Sequence, residues 1–209
     1  MENRDIPNRI WLASKSPRRQ ELLTQIGIAF DILQPPAQDI QNSDMVNERI
    51  LSKESAFDYV YRLSQEKANY AWHYLLKSGL ALRPILSADT TVTINQKILG
   101  KPANREEAYA IIKMLSGHTH QVLTAVTVKW KNKQLTATQT SDVTFTALDD
   151  ARINAYIATD EPYDKAGGYG IQGLAGKFIS HINGSYSSIM GLPLYETTEL
   201  LREIGMHIK

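Results

Sequence analysis

Several short clusters in this sequence carry side chains able to hold a polyanion or take a proton. The first is LASKSPRRQELL at 12–23, which sets Ser14, Ser16, Arg18 and Arg19 at the seam between an apolar run and a helix. Residues 10–13 read as a short strand, and Pro17 fits the first turn of a helix, where its missing N–H is no loss. A helix start offers free N–H groups and partial positive charge. With hydroxyls and guanidinium groups beside it, such a turn suits a phosphate chain. Taken alone, paired arginines are more simply a solvated helix face; what favours phosphate is the company of further polar clusters at element ends.

The second cluster is SADTTV at 87–92, straight after the apolar Ile85 and Leu86. Asp89 is then expected at the end of a buried strand, where α/β proteins place chemistry. An acid there can ligand a metal or accept a proton from water, or it can cap a turn. Lys101 stands on a constrained turn, GKP at 100–102. Lys67 lies within a helix, where a lysine is solvated by default, and Glu48 is an acid on a polar loop. The densest cluster is EPYDKAGGYGIQG at 161–173, with four glycines in thirteen residues. Glycine at that density permits close approaches that other residues resist, so the segment is expected to be an irregular, ligand-facing loop. Its acids, Glu161 and Asp164, could hold a divalent cation, with Lys165 and Gln172 beside them. His118 and His120 share a possible strand face but have no third ligand in reach, so they are not read as a metal site.

These clusters need elements to position them. After the first strand and helix, 29–33 reads as a second strand and 34–52 as a long polar loop, hence functional or mobile. Apolar positions at helical spacing mark a helix over 53–78, closed by Gly79. A strand over 84–92 continues as a hairpin over 94–99. Asn104 and Glu107 open a helix over 104–116 in a pattern close to a capping box. Alternation predicts an antiparallel hairpin over 121–130 and 134–146. A short helix over 149–159 precedes the glycine-rich segment; a strand over 177–182, a polar turn at 184–186 and a last helix from Pro193 follow it.

The 209 residues are 43% hydrophobic and 22% charged, which suits a globular chain with a sizeable core. Formal net charge is +1, so any cationic site is local and a general nucleic-acid binder is disfavoured. Cysteine is absent, which excludes disulfides and thiolate chemistry and suits a reducing cytoplasm. No apolar run approaches a membrane span or a signal peptide, so no membrane partner is expected.

Taken together, LASKSPRRQELL, SADTTV, GKP, EPYDKAGGYGIQG and GSYSSIMGLPL at 184–194 resemble, in order and over nearly the full length, the Maf family of nucleoside triphosphate pyrophosphatases, also called septum formation inhibitors. The resemblance implies a single elongated α/β domain over 1–209: a mixed, strongly curved sheet flanked by helices, with two lobes around a cleft, similar to the inosine triphosphate pyrophosphatases. It implies hydrolysis of a nucleoside triphosphate to the monophosphate and pyrophosphate with a divalent cation, Mg or Mn, in the cytoplasm. Homodimer formation is left open. Asp89 would activate water; Ser14, Arg19, Lys67 and Lys101 would hold the phosphates; and Glu48 falls where the family often has a loop acid.

Arg18, Thr90 and Gln172 match the branch acting on dTTP and UTP. For Gln172 there is a physical reason, since a carboxamide can accept from N3–H and donate to a carbonyl of uracil or thymine. The alternatives are the branch acting on 7-methyl-GTP, which tends to carry an aromatic near Arg18 and a glutamate near Gln172, and a nucleotide-binding septation regulator without turnover. Lys15, where a small residue is commoner, Ser188, in place of a frequent asparagine, and the long loop before Lys53 depart from the family pattern.

Overall fold

The computed structural model describes residues 6–34, 46 and 48–208. Most of the polar 34–52 segment, residues 35–45 and 47, lies outside them, as do residues 1–5. The strands are β1 (Arg9–Leu12), β2 (Ala29–Ile32), β3 (Ile85–Ile94), β4 (Lys97–Leu99), β5 (Thr119–Trp130), β6 (Lys133–Phe145) and β7 (Ile179–Asn183). They form one mixed sheet in the order β2-β1-β3-β5-β6-β7, with β4 paired to β3 alone. β1 runs parallel to both its neighbours, and the remaining pairs are antiparallel. The mixed α/β sheet flanked by helices agrees with the expected fold class.

The helices are α1 (Pro17–Gln25), α2 (Ala56–Ser78), α3 (Arg105–Leu115), α4 (Asp150–Ile157), α5 (Tyr186–Met190) and α6 (Leu194–Glu203). Their limits follow local chemistry. Ser55 Oγ accepts from the Asp58 N–H at 3.1 Å and opens α2 three residues later than the apolar spacing suggested; Gly79, at φ 68°, closes it. Asn104 Oδ1 accepts from Glu107 N–H at 2.8 Å, while the Glu107 carboxylate reaches back to Ala103 N–H at 2.8 Å, one residue beyond a standard capping box.

Two apolar clusters share the long strands β3 and β5. One gathers Ile10, Leu12, Leu86, Ala88, Val126 and Val128 against α1 and α6. The other gathers Val92, Ile94, Val122 and Val143 against α3, α4 and Phe178. Asp89 falls on β3 between the two.

Three expectations are corrected by the packing. β3 does not end near Asp89 but runs on to Ile94, because Val92 and Ile94 bury their side chains in the second cluster. The glycine-rich segment is partly regular: Glu161–Asp164, Ala166–Gly168 and Leu174–Phe178 are 3-10 turns, the last of which takes Lys177 and Phe178 out of the expected strand. The polar turn at 184–186 opens a short helix, α5, whose Ser185 Oγ accepts from Ser188 N–H at 3.2 Å.

Candidate active site

β1 leaves β3 early, and β4 joins it late. The β1 ladder reaches only Leu12 opposite Leu86, and the β4 ladder starts at Val92 opposite Leu99. Residues 87–91 of β3 therefore have an open edge between the two, while their other edge is fully paired to β5. The chain leaving β1 carries Ser14 into this gap, and the chain leaving β4 carries Gly100 and Lys101 into it. The result is a cavity of about 770 Å³ lined by Ser14, Arg18, Arg19, Glu48, Lys67, Asp89, Thr90, Lys101, Asp164, Lys165 and Gln172, among others. Asp89 and Thr90 point to opposite faces of β3, as neighbours in a strand must. Both line the cavity because it wraps an open edge.

On one face, α2 lays Lys67 over the strand. Its ammonium donates to Asp89 Oδ1 at 2.6 Å and lies 2.8 Å from Glu48 Oε1. Asp89 is 9% exposed, and its second oxygen has no donor among the described residues. The Lys67 hydrogen bond, then its charge, then Lys101 hold the Glu48 carboxyl below the usual range. Tyr59 donates to the Glu48 carbonyl at 3.0 Å and fixes where that loop acid stands. Burial, and then the Asp89 and Glu48 charges, push the Tyr59 phenol up to about 12, so it stays a donor.

On the other face, each nitrogen of Arg19 makes one hydrogen bond, which leaves one N–H on each Nη atom for a ligand. The guanidinium donates to Gly191 O at 2.8 Å, to Ser14 Oγ at 3.1 Å and to Thr90 Oγ1 at 3.4 Å. Burial lowers its pKa, with Asp89 acting against that effect and Arg18 adding to it. Thr90 Oγ1 also meets Thr124 Oγ1 at 3.0 Å, and Thr124 donates to Ser188 O at 2.7 Å, which ties α5 to the sheet. At the start of α1, the Ser16 side chain makes no cap bond. Ser16 and Pro17 line the cavity directly.

Across the gap stands the glycine-rich segment. Gly167 N–H donates to Gly100 O at 3.0 Å, which joins this wall to the turn holding Lys101. Arg18 faces Asp164 at 3.6 Å and so bridges the two walls. Lys165 donates to Glu161 O at 2.8 Å and pairs with Asp164. The Gln172 carboxamide has no hydrogen-bond partner among the described residues, which leaves its donors and acceptor open to the cavity.

Glu161 is not brought into this company. Its carboxylate accepts from Leu174 N–H at 2.6 Å, Ala175 N–H at 3.2 Å and Tyr156 OH at 3.1 Å, so it caps the last 3-10 turn. A Cβ on Gly173 would lie 2.5 Å from that carboxylate. His118 and His120 do not converge either, since the His120 ring is buried against Tyr169. Among the described residues, no group of three or more His, Asp or Glu side chains converges on a metal position.

The residue reading passed over Tyr59 and the α5 stretch Ile189, Met190 and Gly191, which also line the cavity. Tyr59 sits on an ordinary amphipathic helix, and nothing in its local sequence marks it. The glycine of MGLP offered a signal, because Gly191 closes α5 at φ 117° and presents its carbonyl to Arg19.

The sequence matches the family model for Maf-like protein over residues 9–204. The chain belongs to the Maf family. Its relatives include proteins named dTTP/UTP pyrophosphatase from Bordetella avium, 46% identical over 95% of this chain and 96% of that one, and from Polaromonas sp., 46% identical over 95% and 97%. A third, from Cupriavidus metallidurans and named the same way, is 48% identical over 95% and 98%. Among solved structures, the Staphylococcus aureus Ham1 protein overlaps 66% of this chain and 71% of its own at TM-score 0.43 and 12% identity, a distance at which no residue correspondence is drawn. Among the described residues no helix is long and apolar enough to cross a membrane.

Proposed function

We propose that this Maf protein is a nucleoside triphosphate pyrophosphatase that cleaves dTTP and UTP to the monophosphate and pyrophosphate as a single domain. The observation that carries this reading is the pairing of Asp89 with a cation set in one cavity: Lys67 at 2.6 Å, Arg19 sharing Ser14 and Thr90, and Lys101 across the gap. Lys67 occupies Asp89 Oδ1, and the free Oδ2 takes the proton from the attacking water. Arg19, Lys67, Lys101 and the start of α1 surround a polyanion, and their charge opposes what builds on the departing pyrophosphate. A pure binding protein gains nothing from a base placed among phosphate-binding cations, which disfavours a regulator without turnover.

Glu48 would hold the divalent cation, since its carboxylate lines the cavity and Lys67 engages it through Oε1 alone among the described residues. One carboxylate plus water and phosphate oxygens from the substrate form a donor set suited to Mg²⁺ or Mn²⁺. Such an ion polarises phosphate oxygens and screens the phosphate charge. Gln172 faces the nucleotide from the far wall, and Arg18, on α1, reaches toward that wall at Asp164. The free carboxamide of Gln172 complements the N3–H and carbonyl edge of uracil or thymine, where 7-methylguanine presents a different pattern.

Pyrophosphate release measured across uracil, thymine, cytosine, guanine and 7-methylguanine nucleoside triphosphates tests the reading. UTP and dTTP should lead, and the products should be monophosphate and pyrophosphate; diphosphate and orthophosphate would move the cut to the wrong bond. Gln172→Glu turns a donor into a second acceptor against a base carbonyl. It should lower kcat/KM for UTP and dTTP by about 1–3 kcal/mol while purine triphosphates lose much less. An equal fall for every nucleotide would show that Gln172 supports the loop and does not read the base.

A further inference from the structure

Behind the glycine-rich wall lies a polar contact that the chemistry above does not use. His120, on β5, is 2% exposed, and its Nε2 meets Tyr169 OH at 2.6 Å. Its Nδ1 is buried without a partner. The His120, Phe145 and Tyr169 rings pack edge to face, with centroids 4.9–5.3 Å apart. Burial lowers the imidazole pKa to about 4, so the ring is neutral at neutral pH.

An apolar residue in place of His120 would fill this site without an unpaired buried nitrogen. Such a nitrogen costs stability that packing alone gives no reason to spend. What the polar pair adds is direction, since a short hydrogen bond fixes the Tyr169 ring along one line where packing would accept several.

Tyr169 sits where that direction matters. It lies between Gly168 and Gly170, in a stretch where the backbone passes close to its neighbours: a Cβ on Gly167 would come within 2.7 Å of Val92. Tyr169 and Ile171 are the buried side chains of this run and, with the exposed Gln172, line the cavity. Beyond it, the chain is caught again by the Glu161 carboxylate at Leu174 and Ala175. Gln172 is thus held between two polar anchors, one buried at Tyr169 and one half-buried at Glu161.

We infer that the His120–Tyr169 hydrogen bond positions Gln172 and thereby sets base selectivity, with His120 acting as a positioning residue that never touches the nucleotide. The inference rests on the reading of Gln172 given above.

Tyr169→Phe removes one oxygen and keeps the three-ring packing. It should raise KM for UTP and dTTP by about 5-fold or more with kcat nearly unchanged, and leave kcat/KM for GTP within about 2-fold. His120→Phe should reproduce this shift, and adding it to Tyr169→Phe should bring little further loss, because both remove one bond. His120→Gln, whose amide keeps a polar end at the reach of Nε2, should recover part of the selectivity. If His120→Phe does not fold, Tyr169→Phe and His120→Gln decide the matter. A folded Tyr169→Phe protein with unchanged UTP-to-GTP selectivity, or with equal losses on both, overturns the inference. A wild-type protein without pyrimidine preference overturns instead the reading of Gln172 on which it stands.

Discussion

Asp89 and Gln172 face the same cavity from supports of different kinds. Asp89 stands on a strand paired to β5 from Ile85 to Thr93, and its partner Lys67 stands on a 23-residue helix packed over that strand. Gln172 stands on a segment outside the sheet ladders, held by glycines that allow close approach, by the side-chain anchors Tyr169 and Glu161, and by hydrogen bonds from Gly167 to Gly100 and from Tyr156 to Gly168. Backbone ladders share any load among many bonds, whereas a side-chain anchor is one or two bonds deep. Substitution on the sheet wall should change chemistry and spare shape; on the loop wall it should change shape first.

The largest expected effect is on the sheet wall. Asp89→Asn keeps the volume but cannot accept the proton, so kcat should fall on the order of 10²-fold or more with nucleotide binding and melting temperature little altered. Retention of a tenth of wild-type turnover would remove Asp89 from the base role. Its counterpart on the loop wall is Glu161→Gln, which replaces one oxygen that accepts backbone N–H groups with a donor. Loss of these charge-assisted bonds should lower stability by about 1–3 kcal/mol in denaturant unfolding and blunt base selectivity. An unchanged unfolding midpoint would mean that the loop wall has deeper support than its anchors.

A pH series separates the walls next. His120 has a folded pKa of about 4, below its unfolded value near 6.5. The unfolded chain therefore binds the proton first, and the stability from the neutral ring is complete above pH 6.5 and lost as pH falls toward 4. Wild type should lose on the order of 2 kcal/mol between pH 7 and 5 relative to His120→Gln, which cannot titrate. Parallel unfolding curves across that range would mean that the ring is reached by water in the folded state. The smallest effect belongs to the bridge between the walls. Arg18 and Asp164 are 3.6 Å apart and Asp164 is 66% exposed, so Asp164→Asn should shift stability by no more than about 1 kcal/mol. A larger shift would show that the walls are coupled more tightly than this pair.

Most of the fold was legible along the chain because its signals are local. Pro17, Asn104 and Gly79 mark helix limits through backbone preference or bonds to residues within a few positions, and strand alternation repeats every two residues. The grouping of Ser14, Arg18 and Arg19 at one turn was legible for the same reason. The clusters at 87–92, 100–102 and 161–173 each showed polar residues at a turn or strand, and the family resemblance joined them into one site.

Other features depended on where distant segments meet. The sequence places Asp89 after an apolar run, but not in the middle of a strand whose neighbours part around it. That gap exists because β1 stops at Leu12 and β4 begins opposite Val92; the β4 pairing is a local hairpin, but the β1 pairing joins residues dozens of positions apart. Glu161 and Asp164 look alike in EPYD, yet one caps backbone N–H groups 13 and 14 residues on and the other lines the cavity. Lys67 reads as a solvated helix lysine until α2 is laid on β3 and the ammonium finds two carboxylates. Residue types and local spacing determined which groups were available for chemistry; only the tertiary structure decided which of them share a cavity, because burial and charge pairing act between surfaces that the chain brings together late.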